Sequence, residues 1–85
     1  MSRFKHYRAR DIKFVFKYDD VDPDLLHIYA RHLTTPTVAV TTFFSGLTVW
    51  NDKLQRFETF TKSHCLYWFW LEAEKVVMVV SCFTK

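Results

Sequence analysis

The sequence predicts an α+β domain: an N-terminal strand or arm and two helices, packed on a four-stranded antiparallel sheet. Three observations carry that prediction. Two segments, 22–33 and 35–46, are punctuated as helices. From Leu47 onward, short β-rich runs are separated by brief turns. The whole length is 85 residues, which leaves room for a single domain, 1–85.

Residues 1–18 are expected to form a basic arm or an edge strand. Positions 1–17 hold Arg3, Lys5, Arg8, Arg10, Lys13 and Lys17 against one acid, Asp11, for a net +5, whereas 18–85 carry a net −2. Within the arm, Ile12, Phe14, Phe16 and Tyr18 alternate with Lys13, Val15 and Lys17, the period of a half-buried strand. Clustered cations favour a polyanionic partner, nucleic acid first. The plainer alternative is a charged edge that blocks aggregation.

Asp22-Pro23-Asp24 predicts a helix start, with Asp22 as cap, Pro23 in the first turn and Asp24 facing the helix dipole. Spacing along 22–33 puts Leu25, Leu26, Tyr29 and Leu33 on one apolar stripe, with His27 and Arg31 paired on the opposite side. Thr35-Pro36 restarts the pattern and Gly46 stops it. The β-branched run between them argues for a strand and the punctuation for a helix; the punctuation decides for a helix.

Four strands follow, at 47–50, 54–61, 64–71 and 75–83, turning at Asn51-Asp52, Lys62-Ser63 and Glu72–Glu74. A last turn centred between Ala73 and Glu74 would place Trp70 opposite Val77, Trp68 opposite Val79, Leu66 opposite Ser81 and Cys65 opposite Cys82. Two opposed cysteines fit buried thiols better than a strained disulfide. Alternation then sorts two faces. Cys65, Tyr67, Phe69, Leu71, Val76, Met78, Val80 and Cys82, joined by Phe60, are expected to meet the helices. His64, Leu66, Trp68, Trp70, Val77, Val79 and Ser81, with Phe57, Thr59 and Thr61, are expected to form an outer platform for stacked bases. The alternative is that this second face is buried as well.

A composition of 49% apolar and 19% aromatic residues excludes intrinsic disorder. No apolar run approaches the roughly 20 residues of a membrane helix, and no leader pattern opens the chain, so a cytoplasmic protein with no membrane partner is expected. No Gly-rich phosphate loop and no metal-ligand spacing occurs, so neither a cofactor nor a metal is expected. What remains is chemistry that histidine and arginine can supply: proton transfer near neutral pH and stabilisation of a phosphate. The candidates are His27, Arg31 and His32 on the first helix, and His64 beside Thr61, with Lys53, Arg56 and Lys62 nearby. For each histidine, a structural role is the alternative.

The order helix, helix, four-stranded meander resembles the RelE/barnase-like group of small bacterial endoribonucleases, many of them toxins of toxin–antitoxin modules. The stretch His27-Ile-Tyr-Ala-Arg31-His32-Leu-Thr-Thr-Pro is similar to a His-x-x-x-Arg helix of some toxin-like families, and Thr41–Asn51 resembles the MqsR-type interferases. The resemblance covers roughly 22–85 and implies metal-independent RNA cleavage on the sheet, with an antitoxin covering the site. On that expectation His64 is base or acid, His32 or His27 its complement, and Arg31 or Arg56 the stabiliser of the phosphorane. Arg56, Trp68, Trp70, Lys53 and Thr61 would hold RNA. The contrasting expectation is a non-catalytic phage or plasmid protein that inhibits a host enzyme through an aromatic face; a homodimer through that face is a third.

Overall fold

The computed structural model describes residues 4–85, so Arg3 of the basic arm lies outside the described residues. Its architecture corrects the expected fold class. The sheet has six strands and is mixed, not four-stranded and antiparallel. In chain order the elements are β1 (Phe4–Ala9), β2 (Ile12–Lys17), α1 (His27–His32), α2 (Pro36–Ser45), β3 (Leu47–Asn51), β4 (Arg56–Phe60), β5 (His64–Leu71) and β6 (Val76–Thr84). Across the sheet they run β1-β2-β6-β5-β4-β3.

The basic arm is itself a hairpin. Ala9 pairs with Ile12, and the two turn residues between them, Arg10 and Asp11, both take positive φ (50° and 65°). Positive φ at both central positions matches the twist of flanking strands. β2 then pairs in parallel with β6, Phe14 beside Val77 and Phe16 beside Val79. Phe14, Val15 and Phe16 are all buried, Phe14 and Phe16 in the core and Val15 between His6 and Met78 on the other side, so burial does not alternate along β2 as expected. A parallel partner must be reached by a long crossover, which is why hairpin spacing could not reveal it.

α1 is shorter than expected. Its N-cap is Leu26, not Asp22, and Asp22-Pro23-Asp24 lies in a turn. The Asp19 carboxylate accepts the Val21 and Asp22 backbone N–H groups, and the Leu25 N–H donates to the Asp22 carbonyl. These bonds take up the groups that an earlier helix start would use. The expected stripe is wrong as well: Ile28 is the buried residue of α1, while Tyr29 is 44% and Leu33 78% exposed. Leu33 ends the helix in the left-handed region (φ 56°). Thr34 Oγ1 sits 2.7 Å from the Cys82 carbonyl, tying this end of α1 to β6.

α2 follows its punctuation. Thr35 Oγ1 accepts the Val38 N–H at 3.3 Å, Pro36 opens the helix and Gly46 closes it. Gly46 is extended (φ −88°, ψ 172°), so it is not there for a left-handed turn. A Cβ there would stand 2.6 Å from Thr59 Cγ2 and 2.8 Å from both the Phe60 and Thr42 carbonyl oxygens. Close approach of helix end to sheet is the reason for the glycine.

The β5–β6 hairpin begins in the expected register, with Trp70 opposite Val77 and Trp68 opposite Val79. A bulge next to Tyr67 and Trp68 then shifts it, so Leu66 meets Cys82 and Cys65 meets Phe83. The extra residue turns Cys82 to the face opposite Cys65. Both cysteines are buried and free.

Between the β5–β6 turn and the bulge the two faces are the reverse of those expected; beyond the bulge, on β6, Cys82 meets the helices as expected and Ser81 lies on the other face. Phe14, Phe16, Leu66, Trp68, Val77, Val79 and Cys82 form the core with Ile28, Ala39 and Val40 of the helices. Phe43 meets Phe14 and Trp68 edge-on at 5.1 and 5.0 Å, and Phe57 stacks on Trp68 at 4.5 Å. Thr59, fully buried, accepts the Trp68 indole N–H at 2.9 Å. One hydroxyl under an indole satisfies the polar atoms that made this face look like a platform.

Candidate nucleic-acid interface

Register places the other side chains on the face turned away from this core. One row crosses four strands as His6, Val15, Met78 and Phe69, and the next as Arg8, Lys13, Val76 and Leu71. On the far side, Val49, Glu58, Tyr67 and Ser81 share a row, as do Asn51 and Arg56. Phe60, Tyr67 and Phe69, expected in the core, belong to this open face, and Phe69 is 39% exposed.

Two features define the open face chemically. The first is a cationic border. Arg8 and Lys13 stand directly opposite in the β1–β2 ladder, and Lys17 continues the row of cations along β2. Like charges in opposed positions work against folding, and an anion between them removes the penalty. The second is a cluster at β4 and β5. Arg56 Cζ stands 3.7 Å over the Tyr67 ring, and Arg56 Nε donates to Glu58 at 2.9 Å. Glu58 also accepts the Asn51 amide at 3.0 Å. The Asn51 and Arg56 donors together hold the Glu58 carboxyl below its ordinary range, so it stays ionised at neutral pH. Tyr67 in turn meets Phe83 edge-on at 5.1 Å. The guanidinium is thus held over the Tyr67 ring by the Glu58 carboxylate, a planar cation stacked on an aromatic face.

The candidate residues from the sequence are scattered over the molecule. Arg56 lies in the cluster just described. Trp68 is 7% exposed and belongs to the core, so it offers no face to a base; this corrects its assignment to RNA binding. Trp70 is 41% exposed, donates its indole N–H to Glu72, and borders a hollow with Trp50, Gln55, Phe57 and Phe69. Lys53 is exposed in the β3–β4 turn.

The histidines do not converge. His27 Nδ1 and Arg31 Nε reach the same Asp19 oxygen, at 3.3 and 3.0 Å. Backbone donation from Asp22, with smaller help from Arg31, Val21 and His27, lowers the Asp19 pKa from 3.8 to about 2. This arrangement closes the β2–α1 connection and engages the groups proposed for chemistry. His32 lies beside Phe83 (5.6 Å between rings) in a hollow with Ser81 and Thr84. Burial, then the charges of His27 and Arg31, push its pKa below 6.5, which favours the neutral ring. His64 is in a different hollow, with Thr37, Thr41, Thr61 and Ser63, and its Nδ1 is 2.8 Å from Ser63 Oγ. Thr61 Oγ1 accepts the His64 and Ser63 N–H groups, a turn-forming role.

Sequence reasoning missed Tyr67 because it was assigned to the core, Asn51 because it was placed in a turn, and Glu58 because only its neighbours Phe57 and Thr59 were given a face. A signal was present: Arg56 and Glu58 are two apart on a strand, hence neighbours on one face. Among the described residues, no group of three or more His, Cys, Asp and Glu side chains is placed to hold a metal, and no helix is long and apolar enough to cross a membrane. No protein-family model matches the chain, and neither a curated protein nor a solved structure matches it.

Proposed function

We propose that the protein binds single-stranded RNA across the open face of its sheet. The observation that carries the proposal is the pairing on that face of an opposed Arg8–Lys13 border with the Arg56–Tyr67 stack. Phosphates neutralise the first, and unstacked bases lie on the second and on the exposed Phe69 ring. Glu58 acts in this reading as an anchor that fixes the guanidinium plane. Its lowered pKa makes it a weak proton acceptor, so the cluster suits binding more than proton transfer.

Cleavage of the bound strand, by an endoribonuclease of the toxin type, is the second reading. Its support is the chain order on which the resemblance rests: α1 and α2 are followed by β3 to β6, each antiparallel to the next. His32, beside the Phe83 ring that meets Tyr67, is its candidate nearest that face, since His27 and Arg31 are engaged by Asp19 and His64 stands on the helix side of the sheet. An antitoxin in that reading is an acidic protein that covers the same cationic border.

Labelled single-stranded RNA, titrated with the protein in EDTA and followed by anisotropy and by gel, tests both. Binding that falls with salt is expected. Lys13→Glu should weaken it by about tenfold or more and flatten the log–log salt slope by about 0.7 per lost phosphate contact. Intact RNA in the complex assigns a binding protein, and metal-free cleavage lost in His32→Ala assigns the nuclease. RNA that neither binds nor breaks overturns the proposal.

A further inference from the structure

The two edges of the sheet are built in opposite ways. β1 carries Lys5, His6 and Arg8, the charged guard expected on an edge exposed to solvent. β3 reads Leu-Thr-Val-Trp-Asn and carries no charge, no proline and no bulge. Its inner side pairs with β4; among the described residues no strand pairs with its outer side. Leu47 is 73%, Val49 44% and Trp50 48% exposed. Leu54, Phe69 and Trp70, also exposed, extend the apolar surface around the β3–β4 turn. An unguarded apolar edge presents a row of backbone donors and acceptors to any strand that fits.

We propose that the strand it takes is β3 of a second copy, antiparallel across a two-fold axis through Val49, so that two six-stranded sheets join into one. Self-complementarity favours this occupant. With the axis at Val49, Leu47 faces Asn51 of the second copy, Thr48 faces Trp50, and Val49 faces Val49. No charge meets a like charge anywhere along the seam. Pairing β1 with β1 would instead oppose rows of lysine, arginine and histidine. Pairing β3 with β1 would be head-to-tail and would not close, whereas β3 with β3 is isologous and stops at two. Trp50 already meets Phe57 edge-on at 4.8 Å. Its free side would be covered by Thr48 of the second copy, closing the ring row that runs from Trp50 through Phe57 to Trp68.

Sedimentation from low micromolar to several hundred micromolar should show a monomer converting to a dimer. Val49→Lys should stay monomeric throughout, with the wild-type circular dichroism and, at low micromolar concentration where the wild type is also a monomer, the wild-type melting curve. In Val49→Cys, the two introduced thiols should join through a short bismaleimide. In Leu47→Cys they should not, because four residues of offset separate them by about 14 Å. The native thiols, both buried, do not compete. A wild-type chain that remains monomeric, a dimer that survives Val49→Lys, or linkage at position 47 in place of 49 each overturns the proposal. Should Val49→Lys fail to fold, the two cysteine variants decide alone.

Discussion

Asp19 shows how much one side chain organises. It is buried, and it gathers two backbone N–H groups, a guanidinium and an imidazole. Its pKa is about 2 when folded and 3.8 otherwise, so the carboxylate stabilises the fold fully above 3.8 and loses that contribution as pH falls toward 2. In Asp19→Asn the melting temperature at neutral pH should drop, and its decline between those two pH values should become shallower than in the wild type. Thermal melts across the acid range measure both. In the sequence, the residues around this hub were visible but their roles were not. His27 and Arg31 were rightly spaced as neighbours, yet the third member lies eight residues before His27, beyond any helical periodicity. Trp68 was misplaced for a related reason. An indole among hydroxyls reads as a wet surface until one sees that Thr59 satisfies it.

At the scale of elements, α2 and its stop were legible because capping is local: Thr35, Pro36 and Gly46 act within a turn of their own positions. The reason for Gly46 was not legible, since it depends on Thr59 and Phe60 across the helix–sheet contact. Gly46→Ala is therefore expected to destabilise by about 1–3 kcal/mol or more through overlap, not through backbone strain. Urea unfolding should show it as a lower midpoint with unchanged slope. The β5–β6 register was readable from its turn as far as Trp68, and failed beyond it. The bulge adds one residue, and one residue exchanges the faces of all that follow. The inversion of the whole sheet has a different cause. Both faces of β5 and β6 are apolar, so alternation alone could not say which one the helices would choose.

For the whole molecule, the central fact is that β2, from near one end of the chain, lies beside β6, from the other. Phe14 on β2 touches Phe43 and Phe44 of α2 and pairs beside Val77, so hairpin, helix and meander share one core. Unfolding should accordingly be a single event. Phe14→Ala is expected to cost about 3–5 kcal/mol, a large share of the stability of a domain this size. Far-ultraviolet dichroism and tryptophan fluorescence should then shift together. Two separated transitions would mean that the β1–β2 hairpin melts on its own. This long-range pairing was the least legible feature of the chain, because nothing in the local pattern of 12–17 names its partner.

The same pairing sets a timetable for synthesis. As the chain leaves the ribosome, the β1–β2 hairpin emerges first, with Phe14 and Phe16 bare. It must wait for both helices and three further strands before its neighbour arrives. β6 is made after the other five described strands and lies third in the sheet, with β2 on one side and β5 on the other. A product that stops short of Val76 would therefore leave an interior gap, separating the hairpin from the other strands. Only a chain carried through β6 can close this sheet, so the buried rings of the hairpin stay bare until the strand furthest from them in sequence has been made.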